Sequence, residues 1–210
     1  MLKNSPVKLK NSNLMFRFLI AIVCFLSISV VVKAQYYTHF GRGFFGIGQA
    51  AIVKCYELEQ TTYTASQGWD VTDLSSTSTF GFGANYTTGY FLVKNKLSFG
   101  AGLGIYSYHN PNFGYLPLYG DLRFYMTKEP DVPYLLLQVG GGLKAGKSFK
   151  NGNYFKFGIG FKGFVGDGLC IVGEASWQPF SVSNTGESVN VANDTYSFKA
   201  VSFTIGIMFF

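Results

Sequence analysis

The run Gly141-Gly142-Leu143-Lys144-Ala145-Gly146-Lys147-Ser148 matches the phosphate-binding pattern G-x-x-x-x-G-K-S letter for letter. That loop grips phosphate only where it leads into a helix whose N-terminal amides converge on the anion. Here Phe149 to Gly152 lead into another alternating segment, so the run reads as a Gly-rich strand end followed by a basic loop. Ser107 and His109, two apart, can share one face of a strand as nucleophile and base. A triad also needs an orienting third group, and no spacing in the sequence brings Glu57 or Glu59 to them. His39 and His109 are the only histidines. Neither has the spacing of three or four converging ligands that a metal site requires, so no metal, cofactor or catalytic site is expected.

Six charged residues form a more physical lead. Asp121, Arg123, Lys144, Lys156, Lys162 and Glu174 all fall on the inner parity of segments that alternate apolar with small or polar side chains. In the clearest segment Phe155, Phe157, Ile159 and Phe161 share one face, while Lys156, Gly158, Gly160 and Lys162 share the other. A period of two is that of a strand. Eight such segments run over 43–56, 77–93, 96–108, 115–127, 133–145, 153–165, 169–182 and 197–210. A strand divided between apolar bulk and charge fits a barrel with lipid outside and a polar interior. An eight-stranded barrel is just wide enough for side chains to fill, so its charges should pair, since unpaired buried charge is costly. The six are therefore expected to form a lumenal polar network that plugs the barrel.

The connections alternate in length, as membrane barrels require. The longer ones are Leu58 to Ser76, His109 to Gly114, Gly146 to Gly152 and Ser183 to Tyr196. Between them come Lys94-Asn95, Lys128 to Val132 with Pro130, and Gly166-Asp167-Gly168. A soluble barrel or sandwich would need many charges on its outer surface, yet charged residues make up only 13% of the chain and aromatics 18%. This topology sets Cys55 near the outer end of the first strand and Cys170 near the inner end of the seventh. A disulfide needs Cα atoms within about 7 Å, so two free thiols are expected.

Residues 1–34 read as a secretory signal peptide. Lys3, Lys8, Lys10 and Arg17 precede an uncharged run from Phe18 to Val32, and the small Ala34 precedes Gln35. The run is shorter than the ~20 residues that span a bilayer as a helix. Met15 could also begin a complete signal. Cys24 is a poor lipid-anchor site, with bulky Val23 and Phe25 beside it. Five of the 17 Lys and Arg residues lie in this segment and none of the 11 acidic ones, leaving 12 basic against 11 acidic. The chain's basic pI thus argues for no nucleic-acid partner.

Strand number, loop alternation and the ending Ile205-Gly206-Ile207-Met208-Phe209-Phe210 together resemble the small outer-membrane β-barrel proteins related to the OmpA and OmpX barrel domains, a porin family in the broad sense. The resemblance covers residues 35–210. It implies an all-β, eight-stranded, antiparallel up-and-down transmembrane barrel, with periplasmic N-terminus and extracellular long loops. It also implies contact with outer-membrane lipid and with the barrel-assembly machinery through the strand that ends at Phe210. In that strand the stronger apolar series is Val201, Phe203, Ile205, Ile207 and Phe209, one register from the terminal residue. The leading expectation is a non-enzymatic integral outer-membrane protein whose loops serve surface recognition or envelope integrity. The alternatives are a small-solute channel and a lipid-modifying hydrolase at Ser107 and His109.

Overall fold

A computed structural model describes residues 42–64, 68–74, 79–110, 112–145, 149–166, 168–184 and 193–210. The signal segment, His39 and Gly146 to Ser148 lie outside the described residues. Twelve strands are described: β1 (Gly43–Thr64), β2 (Gly68–Leu74), β3 (Phe80–Val93), β4 (Leu97–His109), β5 (Phe113–Tyr115), β6 (Pro117–Tyr125), β7 (Val132–Gly142), β8 (Phe149–Lys150), β9 (Gly152–Gly166), β10 (Leu169–Trp177), β11 (Phe180–Asn184) and β12 (Asn193–Phe209). In the barrel wall β2 continues into β3, β5 into β6, β8 into β9 and β10 into β11. The result is a closed, eight-stranded, antiparallel barrel in which every strand neighbours the next in sequence and β12 returns to β1. The closing seam runs from Gly46↔Phe209 to Tyr63↔Asn193, with one bulge at Tyr56.

Alternation decides which way each residue points. On β4 the inward Gly102, Gly104, Tyr106 and Tyr108 alternate with the exposed Phe99, Leu103 and Ile105. Around the wall, Ile52, Phe82, Leu118, Phe157, Ile159, Ile171, Phe203 and Ile205 all stand outward and exposed. Left in water this belt would forfeit roughly 25 cal/mol for each Å² of apolar surface, which marks it as a surface for hydrocarbon. The tight turns suit their residues. Asn95 takes a positive φ of 52° between β3 and β4, where Lys96 N donates to Val93 O at 3.0 Å, and Asn tolerates that left-handed geometry.

Two expectations need correction. The connection Leu58 to Ser76 is not a plain loop. β1 continues to Thr64, and β2 pairs back on it from Leu58↔Leu74 to Thr64↔Gly68. Likewise Asn193 to Tyr196 belong to β12, which pairs with β11 there. The interior is also less polar than expected, because Tyr106, Tyr108, Tyr115, Tyr119, Tyr125, Tyr134 and Tyr154 are buried in it. A tyrosine fills a narrow lumen with its ring and still offers a hydroxyl.

Candidate functional site

The inward residues stack in layers. At the loop end Val53, Cys55, Leu58, Tyr108, Tyr115, Phe180 and Phe198 form an apolar layer with Phe113 against it. The Phe180 and Phe198 rings stack at 4.6 Å, and those of Tyr108 and Phe113 at 4.8 Å. At the turn end Phe45, Ile47, Phe91, Tyr125, Val132, Cys170 and Met208 form a second layer, with Phe210 packed on it.

Between these layers lies a charged network. Glu174, on β10, is its hub. Its Oε1 lies 3.1 Å from Arg123 Nη2 and accepts from Tyr134 Oη at 2.9 Å. Its Oε2 accepts from Lys156 Nζ at 3.0 Å and from Thr204 Oγ1 at 2.8 Å. Arg123 Nε donates to Asp121 Oδ1 at 2.9 Å, and Nη1 donates to Tyr134 Oη at 3.2 Å. Gln138 Nε2 donates to Asp121 Oδ2 at 2.7 Å, and Tyr154 Oη donates to Gln138 Oε1 at 3.0 Å. The side chains of Arg123, Asp121, Lys156 and Glu174 are 0% exposed. Two carboxylates thus face two cations, and the cluster is neutral. Such a cluster offsets its desolvation only with good geometry and further hydrogen bonds, which the tyrosines, Gln138 and Thr204 supply.

The structure therefore brings together Asp121, Arg123, Lys156 and Glu174, and separates the other two sequence candidates. Lys162 is buried nearer the turn end, with Nζ 4.8 Å from the Tyr125 ring centre and 5.9 Å from those of Phe91 and Phe210. Lys144 stands exposed, because β7 ends at Gly142 and the alternation that would turn it inward stops there. Tyr134, Gln138, Tyr154 and Thr204 complete the network and were not singled out from sequence. Their inward parity, shared with Arg123 and Glu174 across the paired strands, was the available signal.

The chemistry-bearing motifs do not converge. Ser107 and His109 lie on the outward face at the loop end, and His109 packs against Phe80 at 5.6 Å between ring centres. Among the described residues no hydrogen bond joins them and no group of His, Cys, Asp or Glu could hold a metal. The described part of the phosphate-loop match ends β7, and strands β8 and β9 follow it where a phosphate site needs a helix. Cys55 and Cys170 are free thiols in opposite apolar layers. Beyond the apolar band, Lys199 Nζ donates to Glu57 Oε1 at 2.5 Å and lies 3.8 Å from Glu59 Oε1. The hydrogen bond from Lys199 is the largest of the causes holding the Glu57 carboxyl below its ordinary value.

A closed barrel of eight strands with an apolar outside and a filled interior has the architecture of small outer-membrane proteins. Among solved structures, the chain is similar to the outer membrane protein OprG from Pseudomonas aeruginosa, with a TM-score of 0.52 at 12% identity over 81% of this chain and 97% of that one. Also found were the outer membrane protein AlkL (TM-score 0.46, 13% identity, 100% of this chain and 96% of that one) and Neisserial surface protein A (0.37, 16%, 78% and 96%). No protein-family model and no curated protein matches the chain.

Proposed function

We propose that this protein is an integral protein of a bacterial outer membrane, non-enzymatic, whose barrel is a closed scaffold and whose working surface is the loop end. The carrying observation is the filled interior: the neutral Asp121–Arg123–Glu174–Lys156 cluster spans the lumen between two apolar layers. Water-filled lumens belong to barrels of about 16 strands, and here buried side chains occupy the axis. The tight turns and N-terminus face the periplasm and the long connections face outward, in keeping with the loop asymmetry of such barrels. Recognition usually resides in loops held by a rigid scaffold, and here the longest connections, from β1 to β3 and from β11 to β12, adjoin along the closing seam. Its partners on this reading are outer-membrane lipid around the apolar belt and the barrel-assembly machinery, which reads the outward series ending at Phe209 next to Phe210.

Single-channel recording across a planar bilayer tests this. The expected result is insertion without stable conductance steps. Salt-dependent steps would replace the scaffold with a small-solute channel, and failure to insert would remove the membrane assignment. Deleting 59–76 and 184–195, which keeps Leu58 and Tyr196 at the loop-end layer, should change envelope integrity or surface binding while leaving insertion intact.

A further inference from the structure

The wall does not end level. Past Tyr56 and Val201, β1 and β12 stay paired to Tyr63↔Asn193, with β2 added on the side of β1 and β11 on the side of β12. This makes a sheet that projects beyond the apolar belt. On the β11 side the edge is partly closed, by Phe180↔Tyr154 and the bridge Asn151↔Ser183. On the other side β2 pairs, among the described residues, with β1 alone. Every second residue of an antiparallel edge strand aims its N–H and C=O away from the sheet. Asp70, Val71 and Thr72 are exposed in succession, so neither face of β2 is covered there either.

Charge narrows what that edge can take. In the strands that form this sheet, β1 past Leu58 carries Glu59, β2 carries Asp70 and Asp73, and the start of β12 carries Asp194, with no Lys or Arg among residues 58–76 or 193–196. Glu57 adds a carboxylate at the base, and Lys199 is the cation that lies against both it and Glu59, leaving the carboxylates of β2 to set the charge of the edge. A second copy suits the edge badly in the register centred between Val71 and Thr72. Antiparallel pairing of two β2 strands about Val71 and Thr72 sets Asp70 of each copy opposite Asp73 of the other, and like charges directly opposite destabilise a sheet.

We infer that the free edge of β2 is a docking site for an extended, Lys- and Arg-rich peptide segment, which adds as a further strand with its cations along this acidic sheet. Backbone hydrogen bonds give such strand addition its affinity, and side-chain complementarity its selectivity. The inference rests on the loop-end reading above and names its partner class.

The test uses the purified protein in lipid nanodiscs and a synthetic peptide alternating Lys and Thr, as long as β2. Saturable binding with slowed amide exchange across Gly68–Leu74 is expected. The Asp70→Asn variant should bind about two- to fivefold more weakly, the scale of one exposed ion pair. A peptide of the same charge N-methylated along one edge should lose binding. Equal binding of the methylated peptide without protection of β2 would overturn strand addition, leaving charge alone. Protection of β2 that rises with protein concentration in the absence of peptide would overturn it in favour of self-pairing. Absence of any binding would overturn the partner class, whereas a lost deletion phenotype would overturn the loop-end reading itself.

Discussion

Glu174 shows what one inward residue must satisfy. Four donors or cations converge on its two oxygens, so removing its charge leaves Arg123 with Asp121 alone and takes from Lys156 the carboxylate it donates to. Breaking a buried ion cluster by deleting one partner costs about 3–5 kcal/mol. Glu174→Gln should therefore lower the urea midpoint of unfolding far more than Lys199→Ala, whose pair with Glu57 is half exposed to water. Equal effects would show the cluster to be a bystander. Thiols give a second residue-scale prediction. Cys55 and Cys170 are 0% exposed, so the folded protein should resist maleimide at both positions and the unfolded protein should label at both. Parity alone made the four clustered charges legible, because period two fixes direction wherever a strand persists. It misplaced Lys144, since parity carries no information past the strand's last pair.

At the scale of elements, apolar alternation located all eight wall segments and missed the projecting sheet. Gln60-Thr61-Thr62-Tyr63-Thr64 has no apolar face to alternate, so β1 reads as ending near residue 56. Its Thr and Tyr content was the remaining strand signal, a weak one that depends on context. The last strand is the opposite case. Val201, Phe203, Ile205 and Ile207 are exposed along β12, and Phe210 packs within the turn-end layer. The outward series is the one that ends at Phe209, so Ile205→Arg sets a charge in the lipid-facing belt. Such a substitution costs about 2–4 kcal/mol near the midplane of a membrane barrel, and refolding yield into lipid vesicles should fall accordingly. Gly140 makes a separate demand. A Cβ there would run into the backbone oxygen of Leu118 on the neighbouring strand, so Gly140→Val should prevent the β6–β7 pairing and leave the chain unfolded by circular dichroism.

The whole molecule is defined by where its outer surface meets water. On β10 the outward Leu169 and Ile171 lead, nine residues from end to end, to Trp177. At ~3.3 Å per residue and a tilt of ~40° that stretch rises roughly 20 Å, most of the ~25 Å apolar band of a membrane barrel. Trp177 Nε1 donates to Tyr56 Oη at 3.0 Å, and Glu57 and Lys199 begin directly beyond. An indole with its ring in an apolar belt and its N–H hydrogen-bonded beside charges is placed as interfacial aromatics are. Trp69 is the only other tryptophan, so a Trp69→Phe variant isolates the signal. In bilayers of brominated lipids its fluorescence should be quenched most by bromines near the headgroup end of the acyl chain and least by those at the chain terminus. Strongest quenching at the terminus would slide the belt along the barrel and submerge the Glu57–Lys199 pair, and quenching at no depth would leave the apolar exterior outside any membrane.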